Sequence, residues 1–205
     1  MSLFSDARFR GYSLSDGHPV ASADLSYDDI GGAYAAVSAS TVGRSDGLRP
    51  LALQLNGGYA KSLSSGLSLD FGIVHSRYAR YSSAEPGRSD TEIYAGFSRQ
   101  SLSGRLYLSP HYFESGTSVL YGELIDAVEI APELRLSGHV GLLTPIRRRG
   151  GSETRPNLDW RLGLTRELNA VSLHAAWTGR TRSSGDSGDE RHGGNALVFG
   201  IRWVL

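Results

Sequence analysis

The chain has 205 residues, no cysteine, and 21 Lys plus Arg against 21 Asp plus Glu. Those counts exclude a disulfide framework, a thiolate metal site and a cysteine nucleophile, and they leave no net field to recruit nucleic acid. The longest apolar stretches, such as GHVGLLTPI, fall well short of the roughly 20 residues that a membrane-spanning helix needs, so a helical membrane protein is excluded too.

Taken in chain order, the sequence alternates between period-two segments and polar breaks. The start, MSLFSDARFRG, has no basic region followed by an apolar core, so no signal peptide is expected in it, and residues 1–3 are set aside as extraneous to the mature chain. Strands are then predicted at 7–14, 19–29, 33–42, 51–62, 67–79, 91–101, 104–113, 118–128, 134–143, 158–167, 170–180 and 195–205. Only GAYAAVSAS, residues 32–40, offers any argument for a helix, and its neighbours favour a strand.

The breaks sort into two classes that take turns. DDIGG, LSSG, SLSG, APEL and ELNA are short; SLSDGHP, GRSDGLRP, YSSAEPGRSD, ESGTS, TPIRRRGGSETRPN and RTRSSGDSGDERHGG are generally longer and more charged. Alternation of this kind puts all tight turns at one end of a sheet and all loops at the other. Together with the even strand count, it predicts an all-β fold: a closed antiparallel up-and-down transmembrane β-barrel of about 12 strands, one domain over 1–205, in a bacterial outer membrane. Closure leaves no backbone N–H or C=O unpaired in hydrocarbon.

Parity then assigns faces. Leu51, Leu53, Leu55 and Tyr59 oppose Gln54, Asn56 and Gly58; Leu67, Leu69, Phe71 and Ile73 oppose Ser68, Asp70 and Gly72; Leu158, Trp160, Leu162 and Leu164 oppose Asp159, Arg161, Gly163 and Thr165. The apolar side is expected to meet lipid, with an aromatic girdle of Tyr27, Tyr59 and Trp203 near the turn end and Tyr112, Trp160 and Trp177 near the loop end. Three segments resist the scheme. TSVLYGELIDAVE leaves either Glu123 or a leucine pair on the wrong side unless a bulge intervenes, RLYLSPHYF places Pro110 outward, and GAYAAVSAS barely alternates.

The inward parity collects Arg8, Arg10, Asp24, Asn56, Asp70, Glu92, Tyr94, Arg105, Tyr107, His111, Arg135, His139, Asp159, Arg161, His174 and Arg202. Enclosed charges must be paired or wet. Either they form ladders that brace and fill the lumen, or they line a narrow aqueous path whose slight arginine excess favours anionic or polar solutes. The end, NALVFGIRWVL, sets Leu197, Phe199, Ile201, Trp203 and Leu205 on one face. With Gly200, Trp203 and the terminal Leu205 it resembles the C-terminal recognition signal of outer-membrane proteins, which implies the outer-membrane assembly machinery as a partner.

The stretch FSDARFRGYSLSDGHP resembles the start of a proteobacterial family of outer-membrane porins, the TorF-like family also called Gcw_chp, and looser echoes follow at LDFGIVHSRY, TEIYAGFS, LYLSPHYF, LSGHVGLL and LDWRLGLTREL. The resemblance implies an exported β-barrel of unestablished function and brings no catalytic residues.

The expected activity is therefore a narrow porin or channel for small polar or anionic solutes, without cofactor, metal or nucleic acid. An outer-membrane lipid or lipopolysaccharide hydrolase is a weaker alternative. His75 faces outward near the loop end, but its neighbour Ser76 must point to the opposite face; His111 with Glu114 is an inward candidate. A structural or adhesive barrel with a filled lumen is the third. Arg147, Arg148 and Arg149 could contact lipopolysaccharide phosphates, although a solvated charge run is the favoured reading of them. GDSG within the last long loop lacks the partners a serine protease needs.

Overall fold

A computed structural model describes residues 1–79, 88–114, 117–147, 155–181 and 194–203. Its strands are β1 (Ser2–Phe4), β2 (Arg8–Phe9), β3 (Tyr12–Ser13), β4 (Val20–Asp28), β5 (Ala33–Arg44), β6 (Gly47–Ser62), β7 (Leu67–Tyr78), β8 (Arg88–Arg99), β9 (Leu102–Ser109), β10 (Ser118–Ala131), β11 (Leu134–Arg147), β12 (Asn157–Leu168), β13 (Val171–Arg180) and β14 (Ala196–Trp203). Twelve of them close into a barrel, with each of β4 to β14 antiparallel to its chain neighbour; β2 and β3 form a separate two-stranded sheet. The expected closed antiparallel barrel is present.

Closure differs from expectation in one respect. The seam is made by β1, which pairs Ser2 with Arg202 and Phe4 with Gly200 on one side, and Ser2 with Ser22 and Phe4 with Val20 on the other. Ser2 and Leu3, set aside as extraneous, thus form the closing strand together with Phe4. The segment 7–14, predicted as the first barrel strand, holds the small β2–β3 hairpin instead.

Tight turns at one end are enforced by residues with left-handed backbone. Gly32, Gly66, Gln100, Glu133 and Asn169 all have positive φ and sit in the connections after β4, β6, β8, β10 and β12. We call this the turn end, and the opposite rim the loop end. One predicted loop shrinks: GRSDGLRP is mostly strand, with only Ser45 and Asp46 between β5 and β6.

The outer face carries the apolar stripe. Leu25, Leu53, Leu55, Phe71, Ile73, Ile93, Leu106, Leu124, Leu142, Leu162, Leu173, Leu197 and Phe199 are all exposed large hydrophobics. A surface so continuously apolar has no stable place in water and fits hydrocarbon. Leu51 is the exception among the predicted outward leucines. A register shift between Ser40 and Thr41 opposite it adds one residue to β6, which flips its parity and buries Leu51 inside with Val20 and Val42.

The three resistant segments resolve differently. GAYAAVSAS is strand, continuous with β4 and β6. From Val119 to Glu129, β10 pairs without a bulge. Glu123 therefore faces inward beside Arg105 and Gly141 on the adjoining strands, Ile125 also turns inward, and Asp126 takes the outer parity towards the turn end. β9 stops at Ser109, so Pro110 leaves the ladder and Tyr112–Glu114 forms one 3-10 turn.

Candidate functional site

The lumen divides into two tiers. Towards the loop end it is occupied by residues 5–19, the connection from β1 to β4, which fold inward. The Asp6 carboxylate organises this segment. It accepts hydrogen bonds from Ser13 Oγ at 2.5 Å, Ser15 Oγ at 2.8 Å and Gly17 N at 3.3 Å, and pairs with Arg8 Nε at 2.5 Å. Arg10 and Gly11, both at positive φ, make the two-residue turn between β2 and β3, a geometry that matches hairpin twist.

Contacts on every side show that the segment crosses the interior. Ala7 and Leu14 pack on Val20, Val42 and Leu51 of β4, β5 and β6. Phe9 lies against Tyr78 of β7 at 6.0 Å between centroids. A Cβ built on Gly11 would fall 2.7 Å from that of Arg180 on β13, whose guanidinium covers the Tyr12 ring at 3.6 Å. Asn157 Nδ2 of β12 donates to the Arg10 carbonyl at 3.5 Å.

Arg10 is the centre of this tier. Its Nη2 donates to both Glu92 oxygens, at 2.7 and 2.8 Å, and its guanidinium lies 4.0 Å from the Tyr121 centroid, 4.6 Å from Phe9 and 5.7 Å from Tyr107 and Tyr112. Nε and Nη1 have no hydrogen-bond partner among the described residues; aromatic faces take their place. Burial pushes the guanidinium pKa down, Glu92 together with Tyr112 and Tyr121 outweighs it, and the net shift is upward, so Arg10 stays charged. Asp90 on the wall accepts from Ser109 Oγ at 2.5 Å.

Below lies a wetter tier. Tyr34 reaches over Gly58 and Gly72 to Tyr94, whose hydroxyl donates to Asn56 Oδ1 at 2.9 Å. Those glycines are required by the close approach, since a Cβ on Gly58 would come within 2.5 Å of the Tyr34 hydroxyl. Arg105 pairs with Asp70 at 2.9 Å and stacks 5.1 Å from the Tyr94 centroid. On the border with the loop-end tier, where Glu123 and Asp159 flank Gly141 across the ladder, Tyr107 donates to Glu123 at 3.0 Å. Tyr121 lies over Gly141 and bonds Asp159 at 3.2 Å, with His139 Nε2 3.2 Å from its hydroxyl. His174 shares a hydrogen bond with Thr165 at 3.0 Å. Arg135 meets Glu167 loosely at 3.4 Å, and exposed Arg161 and Arg202 have no hydrogen bond or ion pair among the described residues.

Of the predicted lumen residues, Asp24, Asn56, Asp70, Glu92, Tyr94, Arg105, Tyr107, Arg135, His139, Asp159, Arg161, His174 and Arg202 take the inward parity on barrel strands. Arg8 and Arg10 are inside as well, but on the inserted segment. His111 is exposed in the turn after β9. Tyr27, Tyr59 and Trp203 lie on the outer face near the turn end, and Trp160 and Trp177 pair at 5.9 Å on β12 and β13. Tyr112 is not in that girdle: with β9 ended by Pro110, it turns inward onto Val119, Tyr121, Leu143 and Arg10. Tyr34, Asp90, Tyr121, Glu123, Asn157 and Arg180 are further interior residues. Only Glu123 carried a signal, its conflict with the leucines.

His75 bonds Thr91 Oγ1 at 2.8 Å on the outer face, while Ser76 receives Gln54 Nε2 at 3.1 Å inside; the two cannot act together. No group of His, Asp or Glu that could hold a metal occurs among the described residues. Arg148, Arg149, the GDSG stretch and Leu205 lie outside the described residues.

The family described as a bacterial protein of unknown function (Gcw_chp) matches residues 1–192. The chain belongs to the Gcw_chp family. No curated protein matches this Gcw_chp chain. Among solved structures, the NanC porin is similar with a TM-score of 0.64 and 12% identity, and the KdgM porin with 0.61 and 10%; each alignment covers 100% of this chain and 99% of the other. KdgM porin in complex with disordered oligogalacturonate is similar with a TM-score of 0.58, 8% identity and the same coverage. At these identities the likeness is one of fold: a porin-type barrel over the whole chain.

Proposed function

We propose that this Gcw_chp protein is an outer-membrane channel that passes small polar or anionic solutes through a narrow lumen. The observation that carries it is the wet tier. Arg161 and Arg202 are exposed to the interior without an ion-pair partner among the described residues, and Arg135 is only loosely paired. Wall charges that are neither buried nor neutralised serve no bracing role, and they attract anions across water. Two proteins of similar fold, NanC and KdgM, are porins, and KdgM is described in complex with oligogalacturonate. An apolar exterior supports residence in a bilayer, with β14 offered to the assembly machinery and any lipopolysaccharide contact at the loop-end rim.

Planar-bilayer recording under a salt gradient tests this reading. The native protein should conduct, with a reversal potential on the anion side. Arg135→Ser, Arg161→Ser and Arg202→Ser together should move that potential towards zero. Unchanged selectivity would remove the arginines from the account, and lipid hydrolysis without conductance would favour an enzyme.

A further inference from the structure

We propose that residues 6–18 are a selectivity plug: a tethered segment whose Arg10 neutralises an acidic loop-end mouth, so that this segment sets both the width and the charge preference of the pore. The inference rests on the channel reading above and adds a part that the barrel wall alone does not supply.

The wall around the segment is acidic. Asp90 and Glu92 of β8, Glu123 of β10 and Asp159 of β12 face this end of the lumen, against Arg180 of β13 and Arg88, which shares the parity of Asp90 at the rim of β8. Arg10 contributes the cation that the Glu92 carboxylate holds. Without it, a solute would enter past four carboxylates before meeting Arg161 and Arg202, and such a mouth favours cations. With it, three cations, Arg10, Arg88 and Arg180, stand against the four carboxylates, and the arginines below weigh more in the choice of solute.

The segment is built as a cassette. Phe4 and Val20 are direct partners across the β1–β4 ladder, so the chain could turn between them within a few residues. Thirteen residues, 6 to 18, are inserted there instead. No barrel ladder runs through them: Ser5 is bonded to Phe199, and Pro19 to Gly43, at the two roots. The hairpin has only two cross-strand pairs of its own, Arg8 with Ser13 and Phe9 with Tyr12. Its remaining holds on the wall are side-chain contacts and the Arg10–Glu92 pair. A mere space-filler would be apolar, whereas this one inserts a guanidinium held by one carboxylate and by ring faces.

The test compares single-channel conductance and reversal potential of three proteins in planar bilayers. These are the native chain, Arg10→Gln, and a deletion of 6–18 in which Ser5 is joined to Pro19 through an Asn-Gly turn. Heat-modifiable gel mobility verifies that each is folded. The deletion removes Asp6 and Asp16 together with Arg8 and Arg10 but uncovers the wall carboxylates Asp90, Glu92 and Asp159, which are buried in the native protein. It is expected to raise conductance several-fold and to move the reversal potential to the cation side; Arg10→Gln should move it the same way by less. Adding Asp90→Asn and Glu92→Gln to the deletion should return it towards anions. A silent native protein with a conducting deletion also supports the plug, as a seal. If native and deleted proteins conduct alike with the same selectivity, the plug is overturned and the channel stands. Greater conductance of the deletion, with the selectivity of Arg10→Gln equal to that of the native chain, overturns the charge role of Arg10. If neither conducts, the channel reading falls, and the plug with it.

Discussion

The two tiers of the lumen use the same wall and opposite physics. Towards the loop end, Arg10 and Glu92 have side chains only 4% and 7% exposed, and the chain itself fills the space. Towards the turn end, Arg135 and Glu167 are 54% and 49% exposed at 3.4 Å, and water does most of the solvating. A charge in the first tier is costly to unpair, because its partner is left buried. In the second tier the same change is nearly free, because solvent screens both members. The contrast separates what holds the barrel's mouth together from what a passing solute would feel.

Four substitutions sharpen that contrast, all measurable as urea unfolding in phospholipid vesicles followed by the fluorescence of Trp160, Trp177 and Trp203. Arg10→Ala strands a buried Glu92 and should cost about 3 to 5 kcal/mol. Leu162→Arg, on the lipid face of β12, should cost about 2 to 4 kcal/mol if it lies near the bilayer midplane; a harmless result there means the face assignment is wrong. Gly141→Ala forces a methyl into the Tyr121 hydroxyl, 2.0 Å from the built Cβ, and should cost about 1 to 3 kcal/mol through overpacking. Arg135→Ala, in the wet tier, should cost under about 1 kcal/mol. A ranking in which Arg135→Ala equals Arg10→Ala would erase the distinction between the tiers.

Much of the barrel was legible because lipid enforces period two on one face. β7, β12, β13 and β14 keep their predicted parity over the described residues, and the turn-end connections fall at the short breaks, although of SLSG only Ser101 lies in its turn because β9 starts at Leu102. The plug was not legible. FRGYSLSD alternates as a strand does, and three residues, Ser2–Phe4, are too few to show any period. Exchanging one for the other also preserves an even count of twelve, so the count gave no warning. The stretch that carries the family resemblance proves to be the inserted segment itself.

Other misplacements have equally local causes. Leu51 follows a one-residue shift that no composition reveals, and Tyr112 lies past the proline that ends β9. TSVLYGELIDAVE needed no bulge, because the interior accepts Ile125 and the turn-end rim accepts Asp126. For the candidate site, parity found the arginines of the wet tier. It could not tell that Arg10 is neutralised and Arg161 is not, since that depends on which residues meet across the lumen.

The central claim is that the N-terminal hairpin lies inside the barrel, against the wall of β13. A chain without native cysteine allows a clean measurement: Gly11→Cys with Arg180→Cys, folded in vesicles and oxidised, then digested and mass-mapped. The positions are 2.7 Å apart as built Cβ atoms, so relaxation by about 1 Å reaches disulfide geometry. The account predicts a rapid intramolecular disulfide in the folded barrel. Two free thiols, both open to a membrane-impermeant alkylating reagent and never crosslinked, would contradict it.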